Sequence, residues 1–257
     1  MRRMKSIWLL PHRGAVFGLS LLFGCIFIGV CTTLLGKGQA GIILLDAATT
    51  TFPYPLTIQN VMHLFFFVGL GEFFVRWRVA EREFAFVAQH LLPEDGETVL
   101  QSPDLPAIRR QTSGQFNGEH GFLPYLIDLC ILQFQASRSV DQTVSVLNSS
   151  LEMIAHRVDL RYALARYIVW VIPTIGFIGT VIGIAFAMEQ INPEQVDLKV
   201  LTSSLGVAFY TTLVALIQSA FLVLLMNLVQ AREERSVNEA GHYTLRNLIN
   251  RLYVGRE

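Results

Sequence analysis

The sequence predicts an all-α integral membrane protein with four transmembrane helices and long cytoplasmic helical extensions. Of its 257 residues, 52% are hydrophobic and only 16% are charged, which is too apolar for an ordinary soluble domain of this length. Several uncharged runs approach the length of a membrane span, and the basic residues cluster on one side of these runs. The formal net charge of zero gives no indication of nucleic-acid binding.

Four runs provide the roughly 20 mainly apolar residues that a spanning helix needs. They are residues 15–35, 57–75, 167–188 and 201–229. The first run is longer than the roughly 7 to 15 residues of a signal-peptide core, and no small-residue cleavage site follows it. We therefore interpret it as a membrane helix.

The second run is the weakest of the four because it carries ionisable residues. Glu72 precedes Arg76 by one helical turn, so a structural ion pair is expected. His63 is expected to be a polar end of the helix, with a proton-relay role as the alternative.

The positions of the basic residues predict the orientation. Lys37 and Lys199 stand alone in the two short loops on one side, whereas all other Lys and Arg residues lie in segments on the opposite side. Because cytoplasmic segments carry the excess of Lys and Arg, both termini and the long central segment are predicted to be cytoplasmic.

This topology divides the chain into five segments. They are a cytoplasmic N-terminus at 1–14, two peripheral spans at 15–77, a cytoplasmic helical region at 78–166, two core spans at 167–229 and a cytoplasmic C-terminal helix at 230–257. In the cytoplasmic region, residues 93–121 are rich in Pro and Gly and are predicted to be loop.

The stretch from 125 to 172 contains no Gly or Pro and has a heptad seam, which predicts one long helix. The seam consists of Val140, Val144, Leu147, Leu151, Ile154 and Val158. Unbroken, the part up to Arg166 would extend about 60 Å. Such a helix needs a partner for its apolar edge, and the partner is either the same subunit or a neighbouring one.

Small residues line one face of each core span. In the third span they follow Pro173 at helical spacing and are Gly176, Gly179, Gly183 and Ala187. In the fourth span the small and hydroxyl-bearing residues are Ser204, Ala208, Thr211, Thr212, Ala215 and Ser219. Small faces allow helix backbones to approach closely in lipid, so these two spans are expected to pack together.

Thr180 borders the glycine face and lies at a depth similar to that of Thr212. Facing hydroxyls predict a polar lining that coordinates water or passes an ion, with Thr211 as a third member. The alternative is that each hydroxyl only donates to its own helix backbone. Neither core span has an internal acid or base, so a proton-binding acid is expected to come from another chain.

Other chemistries find no support in the sequence. The three cysteines form no C-x-x-C pair and have no nearby His, which favours small apolar packing residues over a metal site. No H-E-x-x-H or G-x-S-x-G motif is present, so the chain is not expected to be an enzyme. No cofactor is expected, only H⁺ or Na⁺ as a transported ion.

The core spans resemble those of the MotA/TolQ/ExbB proton channel family. The segment G-x-x-G-T-V-x-G-I from Gly176 is similar to a motif of TolQ and ExbB, and A-F-x-x-T-x-x-A-L from Ala208 is similar to their A-L-x-x-T-x-x-G-L. Ala215 stands where the family usually has Gly, and Phe221 where ExbB-like chains often have Pro. Four spans with a cytoplasmic N-terminus resemble MotA more than ExbB or TolQ.

The resemblance implies a homopentamer around the membrane helices of a one-span MotB-, TolR- or ExbD-like partner. In the family this partner is present in two copies and supplies a membrane Asp. The implied function is an ion-driven motor or stator subunit that converts ion-motive force into mechanical work, and nucleic acid is not among the implied partners. The rival hypothesis is a non-conducting membrane scaffold.

Overall fold

The computed structural model describes residues 12–36, 38–47, 52–112, 121–189 and 198–253. These residues are almost entirely helical and form no strand, which confirms the predicted all-α fold class. Among them, four helices are long and apolar enough to cross a membrane. Lys37 and most of the loop at 189–200 lie outside the described residues.

The structure contains eight α-helices within the described residues. They are α1 (Arg13–Leu35), α2 (Gln39–Leu45), α3 (Ile58–Val87), α4 (Leu105–Thr112), α5 (Phe122–Ser137), α6 (Val140–Arg161), α7 (Ala163–Glu189) and α8 (Leu198–Asn247). A short 3₁₀ helix, Ile249–Arg251, follows α8. The predicted C-terminal helix is thus the continuation of the fourth span, and α2 was not predicted.

The chain forms two compact units. One, here called the apolar unit, comprises Pro11–Val75 and Ala163–Asn227. The other, here called the polar unit, includes Arg76–Tyr162 and Leu228–Glu257. The helices α3 and α8 each contribute residues to both units.

In the apolar unit, α1 packs on α3 through a glycine. A Cβ atom on Gly24 would lie 3.0 Å from Leu64 and 3.4 Å from Phe67, so only a small residue fits there. At the other end of this contact, Arg13 pairs with Glu72 at 2.7 Å. The sequence argument considered only Arg76 as the partner of Glu72 and did not foresee Arg13.

The predicted long helix from 125 to 172 is wrong in part, because the chain breaks at Arg138, whereas at Tyr162 a single turn residue separates α6 from α7. Arg138 adopts the left-handed conformation with φ 49°, and Ser139 caps the next helix by accepting from the backbone N–H of Gln142. The helices α5 and α6 therefore pack against each other. The heptad seam finds its partner within the polar unit, where Leu147, Ile154 and Val158 are buried.

Buried polar and charged side chains stabilise the end of α6 at Tyr162. Tyr162 is fully buried and donates a hydrogen bond of 2.9 Å to Glu233, whose side chain is also fully buried. Arg161 donates to the other carboxylate oxygen of Glu233 at 3.3 Å. Because a buried carboxylate is stable only when paired and hydrogen-bonded, these contacts fix the end of α6 against α8.

A second buried carboxylate, that of Glu83, caps α5. Glu83 lies on α3 beyond its apolar stretch and accepts from the backbone N–H groups of Gly121 and Phe122 at 2.9 and 2.7 Å. Burial raises the pKa of Glu83, and the two N–H donors oppose that rise. In α5 itself, burial raises the pKa of the Cys130 thiol to about 12, which agrees with a packing role for this cysteine.

The predicted loop at 93–121 is wrong in part, because it contains α4. Residues 113–120 of this loop lie outside the described residues. The part before α4 is held by the chain end: Leu100 exchanges backbone hydrogen bonds with Arg251 and Tyr253 at 2.8 and 3.0 Å. Such pairing gives the Pro- and Gly-rich segment an ordered path that composition alone does not encode.

Candidate ion-pathway site

The glycine face of α7 lies directly against α8. A Cβ atom on Gly183 would come within 2.6 Å of the Cβ of Ala208, and one on Gly176 would clash with the Cβ of Ala215. Position 179 is tight as well, at 3.0 Å from Thr211 Oγ1. The two backbones therefore approach as closely as small residues permit, which places polar groups of both helices within hydrogen-bonding reach.

Pro173 leaves one backbone carbonyl of α7 free to accept a hydrogen bond from α8. Proline has no N–H, so the carbonyl of Val169, four residues earlier, loses its helical donor. The hydroxyl of Ser219 on α8 donates to that carbonyl at 3.0 Å. A defect in one helix is thus repaired by a side chain of its neighbour, as the absence of water in hydrocarbon requires.

Three threonine hydroxyls meet between the helices. Thr180 Oγ1 and Thr212 Oγ1 are in direct hydrogen-bond contact, and Thr211 Oγ1 lies 3.5 Å from Thr180 Oγ1. Two backbone carbonyls, those of Gly176 and Ala208, face the same point. We call these five oxygens the hydroxyl cluster.

The contacts in the hydroxyl cluster outnumber its protons. Thr180 lies 3.0 Å from the Ala208 carbonyl and 3.3 Å from that of Gly176. Thr211 lies 2.7 and 3.1 Å from the same two carbonyls, and Thr212 lies 3.1 Å from Gly176. Each hydroxyl carries one proton, so only some of these contacts are hydrogen bonds at any moment. Hydroxyl rotation can therefore present oxygen lone pairs to a water molecule or a cation.

The exposure of the three threonines differs. Thr211 is buried, whereas Thr180 and Thr212 are each partly exposed on the surface of the apolar unit. The cluster thus has one interior member and two that reach the surface. A group docking on that surface would find hydroxyl oxygens in an otherwise apolar wall.

The structure brings Thr180, Thr211 and Thr212 together, and their role as an ion pathway stays a prediction. Thr174, in contrast, donates to the carbonyl of Trp170 at 2.9 Å, the self-bonding arrangement considered as the alternative for every threonine. Sequence reasoning missed the link of His63 to Gln218, described below. The sequence signal that could have predicted this link is the presence of one polar residue, His63, in the second span and another, Gln218, in the fourth.

These features define a class of protein: a multi-pass membrane protein whose two core helices pack through small residues around shared hydroxyls. The model of the MotA/TolQ/ExbB proton channel family matches residues 126–241, a little under half of the chain. This match confirms the resemblance carried by the two core motifs. No curated protein and no solved structure matches the chain significantly.

Proposed function

We propose that this chain is the channel subunit of an ion-driven membrane motor and no enzyme. In this proposal Thr180, Thr211 and Thr212 line the path of H⁺ or Na⁺. Copies of the chain, five in number, surround the helices of a one-span partner that carries a membrane Asp, in the bacterial inner membrane with both termini cytoplasmic. The observation that supports it best is the meeting of hydroxyls from α7 and α8.

The hydroxyl cluster suits contact with a carboxyl group that changes charge. Hydroxyls donate to an ionised carboxylate and accept from a protonated one, so the same three threonines satisfy both forms. A carboxyl group moving between the cluster and the apolar wall would be charged at the first and neutral at the second, because burial in apolar surroundings disfavours charge.

The driving force for such a cycle is the membrane potential. One elementary charge crossing the membrane gains about 2.3 kcal/mol per 100 mV. Several ions per cycle therefore suffice for mechanical work by a ring of subunits. Neither core helix provides an acid at the cluster, which is why the proposal assigns the acid to a partner.

The test compares two threonines of one helix. Thr180→Val removes the cluster hydroxyl at nearly constant shape, and Thr174→Val removes a hydroxyl that bonds only its own helix. The complex is purified from its native membrane, reconstituted in liposomes containing a pH-sensitive dye, and given a potassium diffusion potential. We expect proton influx to fall at least tenfold in Thr180→Val and Thr212→Val and to stay unchanged in Thr174→Val.

Native mass spectrometry of the same preparations shows whether the variants still assemble. Lost influx with intact assembly supports the proposal. Unchanged influx in Thr180→Val and Thr212→Val overturns the pathway and favours the non-conducting scaffold, in which the hydroxyls serve only helix packing. The same assay with a Na⁺-sensitive dye in place of the pH-sensitive dye tests Na⁺ as the ion.

A further inference from the structure

A second polar cluster lies inside the apolar unit, where α3 meets α8. Its members Gln59, Asn60, His63 and Gln218 are 0%, 3%, 3% and 8% exposed. The surroundings are apolar: the Phe27 ring centre lies 5.3 Å from that of the imidazole. Polar side chains are expensive to bury in such a place without partners, so this cluster requires an explanation.

Two hydrogen bonds define the state of His63. One ring nitrogen, Nε2, lies 2.9 Å from the backbone carbonyl of Leu44, which only accepts, so Nε2 carries a proton. The other, Nδ1, lies 2.6 Å from the side-chain nitrogen of Gln218, which only donates. The imidazole in this arrangement is therefore neutral, with Nδ1 as the acceptor.

The same pair can also hold a protonated ring. The Oε1 atom of Gln218 is buried and has no hydrogen-bond partner among the described residues. Half a turn of the amide group exchanges Oε1 with the nitrogen that faces His63. The oxygen then accepts from a protonated Nδ1, so both protonation states are satisfied without movement of either helix.

The remaining amides provide a place for water. Gln59 lies one turn before His63 on the same face of α3, and neither of its amide atoms has a hydrogen-bond partner in the described part of the chain. The Oδ1 atom of Asn60 is likewise buried and without a partner there. Buried polar atoms in this condition are commonly bridged by internal water, which makes two to four hydrogen bonds.

This polar cluster adjoins the hydroxyl cluster. Gln218 follows Thr211 by two turns on the same face of α8, about 10 Å along the helix axis. At the start of α3, the side chain of Ile58 lies 3.1 Å from the Cβ position of Gly179, which also contacts Thr211. Gln59 is the next residue of α3, so its turn of the helix begins beside the buried member of the hydroxyl cluster.

We propose that His63, Gln218 and Gln59 form a hydrated proton-binding site inside the subunit. A hydronium ion held by the amides gives up one O–H bond, an Nδ1–H bond forms on His63, and neutral water remains. That the site is used during ion transport rests on the proposed function. That His63 binds a proton is independent of the proposed function. The site gives the chain a protonatable group of its own beside the pathway.

The groups facing His63 come from three helices. They are the Phe27 ring of α1, the Leu44 carbonyl of α2 and the Gln218 amide of α8. Titratable residues nearby in the chain are Cys31, one turn after Phe27, and Asp46, which follows α2. None of the three contacting groups is charged, and among them only the Gln218 amide can present either a donor or an acceptor to Nδ1.

The experiment follows the ring nitrogens of His63 directly. The full chain, labelled with ¹⁵N-histidine, is placed in lipid nanodiscs and titrated between about pH 8 and pH 5, and His63→Gln assigns the His63 signals. We expect a neutral ring with its proton on Nε2 at high pH and a doubly protonated ring at low pH. Gln218→Leu removes the oxygen that accepts from Nδ1, so we expect at least a tenfold loss of proton affinity.

The matched control is Gln230→Leu, on the same helix but partly exposed and bonded to Glu234. A His63 ring that stays neutral throughout, or equal midpoints for Gln218→Leu and Gln230→Leu, overturns the proposal. If Gln218→Leu does not fold, the wild-type titration alone decides. Thr180→Val is expected to leave the His63 midpoint unchanged whatever it does to ion influx, so failure of the proposed function is recognised separately.

Discussion

The two units of this chain solve the burial of polar groups in opposite ways. The polar unit buries full charges and surrounds each with donors, as Glu233 shows with Tyr162 and Arg161. The apolar unit uses neutral hydroxyls and amides, which bond to backbone carbonyls freed or shared by close helices, as Ser219 does with Val169. Both solutions occur along the same two helices, α3 and α8.

The difference shows where each unit is fixed and where it can change state. A buried ion pair loses its compensation at once when one partner changes, so rearranging the polar unit around Glu233 is costly. Hydroxyls and amides can rotate and exchange donor for acceptor at small cost. The apolar unit therefore has the groups that can respond to a passing charge, and the polar unit has those that hold the fold.

The largest expected effect comes from removing a buried charge. Glu233→Ala leaves Arg161 and Tyr162 without their acceptor, and breaking a buried pair of this kind costs roughly 3 to 5 kcal/mol. The apparent melting temperature of the detergent-solubilised protein is the measurement. Glu234→Ala, next in sequence but exposed, is the control and should melt like the wild type. Equal melting of the two variants would contradict the contrast between the units.

A smaller effect is expected from overfilling the contact of α7 with α8. Gly183→Ala places a methyl group 2.6 Å from the Cβ of Ala208, and overpacking of this kind costs about 1 to 3 kcal/mol. Gly29→Ala on α1 meets no atom within 4 Å and is the matched control. Melting of both variants in the same detergent checks the prediction, and a destabilised Gly29→Ala with an unaffected Gly183→Ala would refute it.

The smallest effect concerns the pH dependence that Glu83 contributes. Because burial raises its folded-state pKa above the unfolded value of 4.5, the folded state takes up the proton more readily. This contribution to stability is fully present below the unfolded pKa and is lost as pH rises through the folded pKa. Glu83→Gln cannot titrate, so the wild type should gain stability relative to it as pH falls.

Melting curves of wild type and Glu83→Gln from about pH 8 to pH 5 measure this difference, which we expect to be on the order of one hydrogen bond, about 1 kcal/mol. Glu97→Gln is the control, because the Glu97 side chain is exposed. A constant difference across this range, or one of opposite sign, would show that the two N–H donors outweigh burial at Glu83.

The spans and the small faces could be predicted because apolar length and helical spacing are local properties of the sequence. The breaks at Arg138 and Tyr162 could not, since neither residue disfavours a helix by itself. At the first break α5 and α6 pack against each other, and at the second Tyr162 donates a hydrogen bond to Glu233, 71 residues away. Similarly, the meeting of Thr180 with Thr212 was predictable because the two lie at similar depth on adjacent spans, whereas the pairing of His63 with Gln218 joins residues 155 apart.

The bond between Ser219 and Val169 has a mechanical consequence. Sliding α7 along α8 by one turn would remove the Ser219 hydroxyl from the Val169 carbonyl, which Pro173 leaves without a helical donor. The interlocked glycine and alanine positions oppose the same displacement by steric contact. The membrane parts of α7 and α8 are therefore expected to move together as one body.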